Sequence, residues 1–334
     1  MPLDIGRLAP GDRVQNELRV VNRDNRRTRD GKPFVVLTLG NASGEIATAP
    51  VWSENLDWVE GAERGTIVQA IGEVATYQDG VRSRRQVRLE APLRIVDASL
   101  VRLEEFLPHI EDDPQVLWAG VDRYIGEIRS ESLRRVVGLF FDDDAFRERF
   151  ERWPGSTRGH HARIGGLLRH VAEVAAIART IAGTMKAPGG PIADRDLAVA
   201  GALLHDVGKV EAYSIGPAGF DTTTAGHLIG HVVLGVLMLN ERVGAAAEPV
   251  CSNEQLLEIQ HLILSHHGTL EFGSPVRPMT IEADIIHWAD EASAKPSSFA
   301  DSMADDSLFP NDAEVSEPVW SLDRRRVWRK QHGW

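Results

Sequence analysis

Leu197-Ala-Val-Ala-Gly-Ala-Leu-Leu-His-Asp-Val-Gly-Lys209 decides how this chain is read. Asp194, three residues upstream, has the side chain of a helix cap. The run that follows is apolar on every face, so it reads as a helix sunk in a core. His205 and Asp206 close it, and an ionised carboxylate in such a place is costly unless it is paired or coordinates a metal. Working outward, Leu167, His170, Val174, Ile177 and Ile181 recur at helical spacing, which sets His170 on a buried stripe. Gly226-His-Leu-Ile-Gly-His231 leads into a helix with His231 in line with Leu234 and Met238. Leu256 to His267 ends in Ser-His266-His267-Gly268, with glycine as the stop. Ile281 to Ala292 carries His287 and Asp290. Of the 12 histidines, ten fall between residues 160 and 287.

A single histidine on an apolar face is usually a hydrogen-bonded core residue. That account would have to hold on five helices at once. Histidine and aspartate projecting inward from several helices is how bundles build metal sites. A set of imidazoles and carboxylates without thiolate suits manganese, iron, cobalt, nickel or a non-structural zinc. His227, His261 and His287 face less decisive surfaces and stay outside the expected site.

The first third of the chain has a different period. In Phe34-Val-Val-Leu-Thr-Leu39, Val35, Leu37 and Leu39 share one face and Phe34, Val36 and Thr38 the other. Leu18 opens an earlier strand, and Arg23 to Lys32 reads as the loop between the two. Glu45–Trp52, Thr66–Tyr77 and Arg85–Val96 follow as strands, with Asp79-Gly80 as a hairpin turn. Five strands without crossover helices predict a small barrel of the OB-fold kind. Such barrels bind single strands across their second and third strands and adjoining loops. Arg26, Arg27, Arg29 and Lys32, with Arg23, are the candidate backbone contacts; Phe34, Trp52 and Tyr77 are the candidate stacking faces. A solvated loop and core aromatics are the alternative.

Between these parts, residues 98–155 carry helical spacing and no visible chemistry, from Val101–Leu107 through Leu133–Phe150. Lys295 to Glu317 reads as irregular and acidic. The predicted organisation is an all-β barrel over 1–97, a helical connector over 98–155, an all-α bundle over 156–300 and an irregular tail over 301–334.

Composition sets limits. The chain has 334 residues, 43% hydrophobic and 26% charged, as in ordinary globular proteins. No apolar run is long enough to span a bilayer, the N-terminus lacks a secretory leader pattern, and Cys251 is the only cysteine, which together predict a cytoplasmic protein. The net charge is −12, yet residues 1–100 hold 14 basic and 14 acidic side chains, so the excess lies entirely in the remainder. That distribution argues against bulk attraction to duplex nucleic acid and leaves room for a local basic groove.

The order His … His-Asp … Asp is similar to that of the HD superfamily of metal-dependent phosphohydrolases. His160-His-Ala-Arg-Ile-Gly-Gly-Leu-Leu-Arg-His170, Leu203-Leu-His-Asp-Val-Gly-Lys209, Gly226 to His231, Ile263 to Pro275 and Trp320-Ser-Leu-Asp-Arg-Arg325 resemble YhaM-type 3′–5′ exoribonucleases over nearly the whole chain. These pair an OB-fold with an HD domain. The resemblance implies that His170, His205, Asp206 and Asp290 hold one divalent ion and that His231, with His266 or His267, holds a second, Asp206 bridging. Manganese comes first by that resemblance, with iron, cobalt, nickel or magnesium as alternatives. Lys209 would meet a phosphate oxygen, the alternative being a surface cation at a helix end; His160 and His161 would contact substrate or else pack as a pair at a helix start, and Arg158 or Arg163 beside them would hold phosphate oxygens. One position departs: Ser293 stands where the family usually carries a second carboxylate. The implied activity is metal-dependent 3′–5′ hydrolysis of single-stranded RNA, or DNA, to nucleoside monophosphates. The competing readings are a phosphohydrolase of small nucleotides or cyclic dinucleotides, and a non-catalytic RNA-binding adaptor with a structural metal.

Overall fold

The computed structural model describes residues 3–79, 82–159, 161–310 and 313–329. The chain forms two compact units, Met1–His109 with Ile215–Asp221, and Ile110–Ser214 with Thr222–Trp334.

The first unit is a barrel of β1 (Arg13–Arg27), β2 (Pro33–Asn41), β3 (Gly44–Thr48), β4 (Val51–Trp52), β5 (Ile67–Asp79), β6 (Arg82–Leu89) and β7 (Arg94–Val96). β1 pairs antiparallel with β2 and β5, β2 with β3, and β5 with β6, while β3 runs parallel to β6. The ring β1-β2-β3-β6-β5 thus closes on β1, the OB arrangement. The alternation read from 34–39 is realised: Val35, Leu37 and Leu39 point inward and join Leu18, Val20, Val68, Val74 and Val87 in one core. Ala218, from the excursion at 215–221, accepts a 3.0 Å hydrogen bond from Arg19.

Three strand expectations change. The segment 23–32 is not all loop, because β1 stays paired with β2 through Asn25↔Val35 to Arg27↔Pro33. Only the residues beyond Arg27 turn, with the Thr28 amide donating to the Lys32 carbonyl at 2.9 Å. The third expected strand is two pieces, β3 and β4, and the fifth is β6 and β7. Pro50 and Pro92 sit in the two breaks, and a proline has no amide to give a ladder. Gly80 of the expected hairpin turn lies outside the described residues.

The second unit holds α1 (Pro114–Glu127), α2 (Glu131–Phe141), α3 (Asp144–Arg152), α4 (Gly166–Thr184), α5 (Arg195–Leu204), α6 (Lys209–Ala212), α7 (Thr224–Ile229), α8 (His231–Ala245), α9 (Asn253–Ser265) and α10 (Ile281–Ala304). Asp113, Ser130, Asp143, Asp194 and Ser252 accept first-turn amides at five of the helix starts. Leu197 to Leu204 of α5 is wholly buried, which makes it the axis around which the others pack. Phe140, Phe146 and Phe150 of α2 and α3 share a single core with Leu167 of α4, Leu203 of α5, Ile263 of α9 and Ile286 of α10. Val101–Leu107 is not the expected helix but a short 3-10 turn at Leu103–Phe106, cut off by Pro108.

The stretch from Lys295 onward also differs from expectation: α10 continues to Ala304 through Pro296. Buried Ser298 and Ser302 anchor this last part, and the Ser302 hydroxyl donates to the Ser298 carbonyl at 2.7 Å. Beyond it, isolated bridges Val315↔Trp328 and Val319↔Arg325 close a clip over a small second core of Phe309, Val319, Leu322 and Val327. No helix among the described residues is long and apolar enough to cross a membrane.

Candidate metal centre

Each ligand candidate is aimed by its own helix. His205 is the residue that ends α5, and its Nδ1 lies 2.7 Å from the Ala202 carbonyl. His266 ends α9 in the same way, with Nδ1 2.7 Å from the Ile263 carbonyl. These carbonyls belong to the last turn, where a helix leaves acceptors free. A carbonyl accepts only, so each Nδ1 carries the proton and each Nε2 presents a lone pair. Side chains fix the Nδ1 proton of His170 on α4. The Ser293 hydroxyl donates to Glu173 at 2.7 Å, so its oxygen accepts from His170 Nδ1 at 3.0 Å.

Four imidazole Nε2 atoms converge on Asp206. His170 Nε2 and His205 Nε2 lie 3.3 and 3.2 Å from its Oδ2, and His231 Nε2 and His266 Nε2 lie 3.4 and 3.7 Å from its Oδ1. His170 and His205 also face each other, Nε2 to Nε2, at 3.3 Å, and His231 and His267 at 3.1 Å. Asp290 Oδ1 is 3.1 Å from His170 Nε2. Both Asp206 oxygens and His266 Nε2 are buried without an aligned hydrogen bond among the described residues. The Nε2 lone pairs of His205 and His266, turned on a buried carboxylate, repel it, and a cation between them removes that repulsion. Three overlapping groups have ligand atoms within 4.8 Å of one another: His170, His205 and Asp290; His205, Asp206 and His266; His231, His266 and His267. The donor set and its geometry fit divalent ions held by nitrogen and oxygen.

Backbone packing brings the pieces this close. A side chain at Gly208 would put its Cβ 2.0 Å from the His231 carbonyl oxygen and 2.4 Å from the Gly235 amide, so only glycine lets the first turn of α8 press against the His-Asp turn. Gly268, at φ +77°, stops α9, and His287 stacks where its side chain would be. His287 Nδ1 is 3.0 Å from the His266 carbonyl, bracing it from behind.

The charges are strongly coupled. Burial would raise the Asp206 carboxyl, but the Lys209 charge, with His205 and His170 beside it, outweighs that and holds it well below the carboxylate range. Lys209 Nζ lies 2.6 Å from Asp206 Oδ2; burial disfavours its charge, yet Asp206 keeps it raised. Burial likewise opposes ionisation of Asp290, and its hydrogen bond with His170 holds it low. Burial would lower His170, but the Asp206 and Asp290 carboxylates beside it push it up to about 9, so a bound ion would take the place of a proton on Nε2. His231 faces one carboxylate and Lys209, so burial prevails and brings it down to about 3. His266 and His267 are lowered by burial, His266 also by its histidine neighbours. One side of the site concentrates anions and the other keeps neutral imidazoles.

The remaining residues singled out from sequence divide. His161 is buried at φ +57° with its ring 5.0 Å from that of His170, and it lines a cavity of about 520 Å³ together with Lys209, His267 and Asp290. Arg163 sits 3.6 Å from Asp301, half exposed. His160 lies outside the described residues. In the barrel, Arg26 pairs with Asp24 at 2.8 Å and Arg27 donates to the Gly31 carbonyl, while Arg29 and Lys32 are exposed. Arg23 donates to the Val59 and Ala62 carbonyls at 2.6 and 3.1 Å, which makes it a strut between segments of the barrel. Phe34 and Trp52 form a tilted pair on the outer face, 5.0 Å apart, and Tyr77 is half exposed. Sequence reading passed over Glu173, though it lies three residues after His170 on the same helix face, and found no use for Ser293.

Residues 167–295 match the HD domain family. A 3′–5′ exoribonuclease YhaM of Bacillus subtilis strain 168 is 32% identical over 96% of this chain and 95% of its own length. Its namesakes in Bacillus pumilus and Bacillus licheniformis are 30% and 32% identical over the same shares. No solved structure gives a significant match.

Proposed function

The chain belongs to the YhaM family of 3′–5′ exoribonucleases, and from that premise we propose that it removes nucleoside monophosphates stepwise from the 3′ end of single-stranded RNA. The observation that carries the reading is the ring of imidazole nitrogens turned on Asp206 in a chain that matches these relatives over 96% of its length. His170, His205, Asp206 and Asp290 would hold one divalent ion, and His231, His266 and His267 with Asp206 a second; manganese is our first choice. Bound there, the ions supply a hydroxide-like nucleophile at neutral pH and relief of charge on the phosphoryl group.

The chain's own residues do the rest. Lys209 spends one side on Asp206 and turns the other to the cavity, where it meets a non-bridging phosphate oxygen. His161, on the cavity wall, contacts the same group. Ser293 and Glu173 hold His170 in the tautomer that presents Nε2. In the barrel, Arg26, Arg27, Arg29 and Lys32 on the β1–β2 hairpin hold strand phosphates, and Phe34 offers a stacking face. The acidic excess of the remaining chain disfavours duplex, whose phosphate charge is denser. The lone cysteine supports a cytoplasmic setting.

The test uses one single-stranded RNA labelled at either end and incubated with Mn²⁺. A ladder shortening from the 3′ end, with mononucleotide released first from the 3′-labelled strand, is expected, and a circular strand should resist. Rapid cutting of the circle would show an endonuclease. Turnover of small nucleotides with none of oligomers would return the reading to a small-molecule phosphohydrolase.

A further inference from the structure

The clip that follows α10 has no part in holding metal, yet it reaches the site. Buried Ser316, which accepts from the Val327 amide at 2.8 Å, and the small core of Val319, Leu322 and Val327 fix its shape. It lays Trp320, Ser321, Asp323 and Arg324 along the same 520 Å³ cavity that His170, Lys209 and Asp290 line. That volume lies in the range of small-ligand sites.

Three features of this wall call for a ligand. Trp320 is 89% exposed, a large apolar face left to water at a cavity lip, and half-exposed Phe272 lines the cavity too. Asp323 and Arg324 both take left-handed backbone, φ 53° and 60°, consecutive positions where glycine would be at ease, aspartate is tolerated and arginine is uncommon. Such conformations cluster at ligand clamps. Arg325, Arg326 and Arg329 each pair with a carboxylate, Asp323, Glu317 and Asp306 respectively. Arg324 has no ion pair among the described residues, and Lys295 on α10 already neutralises Asp323 at 3.0 Å.

We propose that Trp320 and Arg324 seat the 3′-terminal nucleotide of the RNA, the indole stacking on its base and the guanidinium holding a phosphate of the strand end. Every base has a π-face, so a tryptophan here accepts any terminal residue, as stepwise removal along a mixed sequence requires. A planar guanidinium suits phosphate through paired N–H donors. The clip is thus a specificity element for an unpaired strand end. This rests on the exoribonuclease reading above.

The test measures KM and kcat on a short unstructured RNA in Mn²⁺ for wild type, Trp320→Ala, Trp320→Phe, Arg324→Gln and Arg324→Lys, each checked for unchanged helix content and melting temperature. Trp320→Ala should raise KM about tenfold, with kcat less affected and Trp320→Phe restoring most of the loss. Arg324→Gln should flatten the salt slope of log affinity by about 0.7, and Arg324→Lys should keep it. The deciding substrate carries an abasic 3′-terminal residue. Wild type should handle it as Trp320→Ala handles the intact strand, and Trp320→Ala should lose nothing more. An equal loss from Trp320→Ala on intact and abasic ends, or a loss that disappears only when the penultimate base is missing, overturns the assignment. Anisotropy of the labelled strand in EDTA separates the two readings. Trp320-dependent binding without cleavage in Mn²⁺ would refute the activity and keep the seat. Cleavage with binding indifferent to Trp320 would refute the seat and keep the activity.

Discussion

Replacing Lys209 with methionine keeps the length of the stem and removes the ammonium, and the site then reports on itself twice. Asp206 is only 1% exposed and Lys209 lies 2.6 Å from it, so the variant leaves a buried carboxylate short of its closest counter-charge. Removing one partner of a buried pair costs about 3–5 kcal/mol. Because His170 and His205 stay beside the same oxygen, the lower end applies here: a loss of about 3 kcal/mol in EDTA, read from urea melts followed by helix circular dichroism. With saturating Mn²⁺ most of that loss should vanish, since divalent charge then serves Asp206. Turnover should not recover with it. Lys209 would also have lost its phosphate oxygen, and one preorganised donor of that kind is worth about 10²–10³ in kcat. The double variant Lys209→Met, Asp206→Asn removes both charges and should be more stable in EDTA than Lys209→Met alone. A Lys209→Met enzyme as stable as wild type in EDTA, or one whose turnover returns with excess Mn²⁺, would refute this reasoning.

Three further outcomes follow from the geometry. Mn²⁺ at about a hundred times its dissociation constant should stabilise the wild-type protein by about 2.7 kcal/mol, visible as a higher melting temperature; Asp206→Asn should lose that shift, and its RNA turnover should fall by orders of magnitude. Ser293→Ala leaves the His170 Nδ1 proton without its acceptor, and calorimetry should find Mn²⁺ affinity about 10- to 100-fold weaker with the fold unchanged; unchanged affinity would make Ser293 mere packing. Neutralising Arg26, Arg27 and Arg29 together should flatten the salt slope for long strands by up to about 2, the more modestly because Asp24 already engages Arg26, while hydrolysis of a dinucleotide barely changes; equal losses on both substrates would separate the barrel from strand capture.

What the sequence disclosed depended on how local the cause was. The inward set Val35, Leu37 and Leu39 was legible because a strand's period is two, and His170 because a helix repeats every 3.6 residues. Where a strand carries charge on its free face, as β1 does from Arg23 to Arg27, composition looks like a loop, and only the pairing partner shows otherwise. α10 past Lys295 was hidden for a similar reason, since serines and Pro296 argue against a helix that buried Ser298 and Ser302 nonetheless secure. The link from His170 to Ser293 spans 123 residues, and no spacing rule reaches that far. Trp320 could be matched to relatives, but its place on the cavity wall is set by a clip that exists only once folded.

The two histidines that end α5 and α9 have a consequence for how such a centre survives divergence. Each ring is steered by a carbonyl of its own last turn, so its aim travels with its helix as one rigid cassette. Substitutions elsewhere in the core can slide or tilt a helix axis, but they do not rotate the ring within it. The inheritance problem then shrinks from placing many side chains to keeping a few axes in register, and most of the surrounding residues are released to drift. A centre held on those terms would tolerate divergence down to agreement at about a third of positions, the level at which this chain matches its relative in Bacillus subtilis.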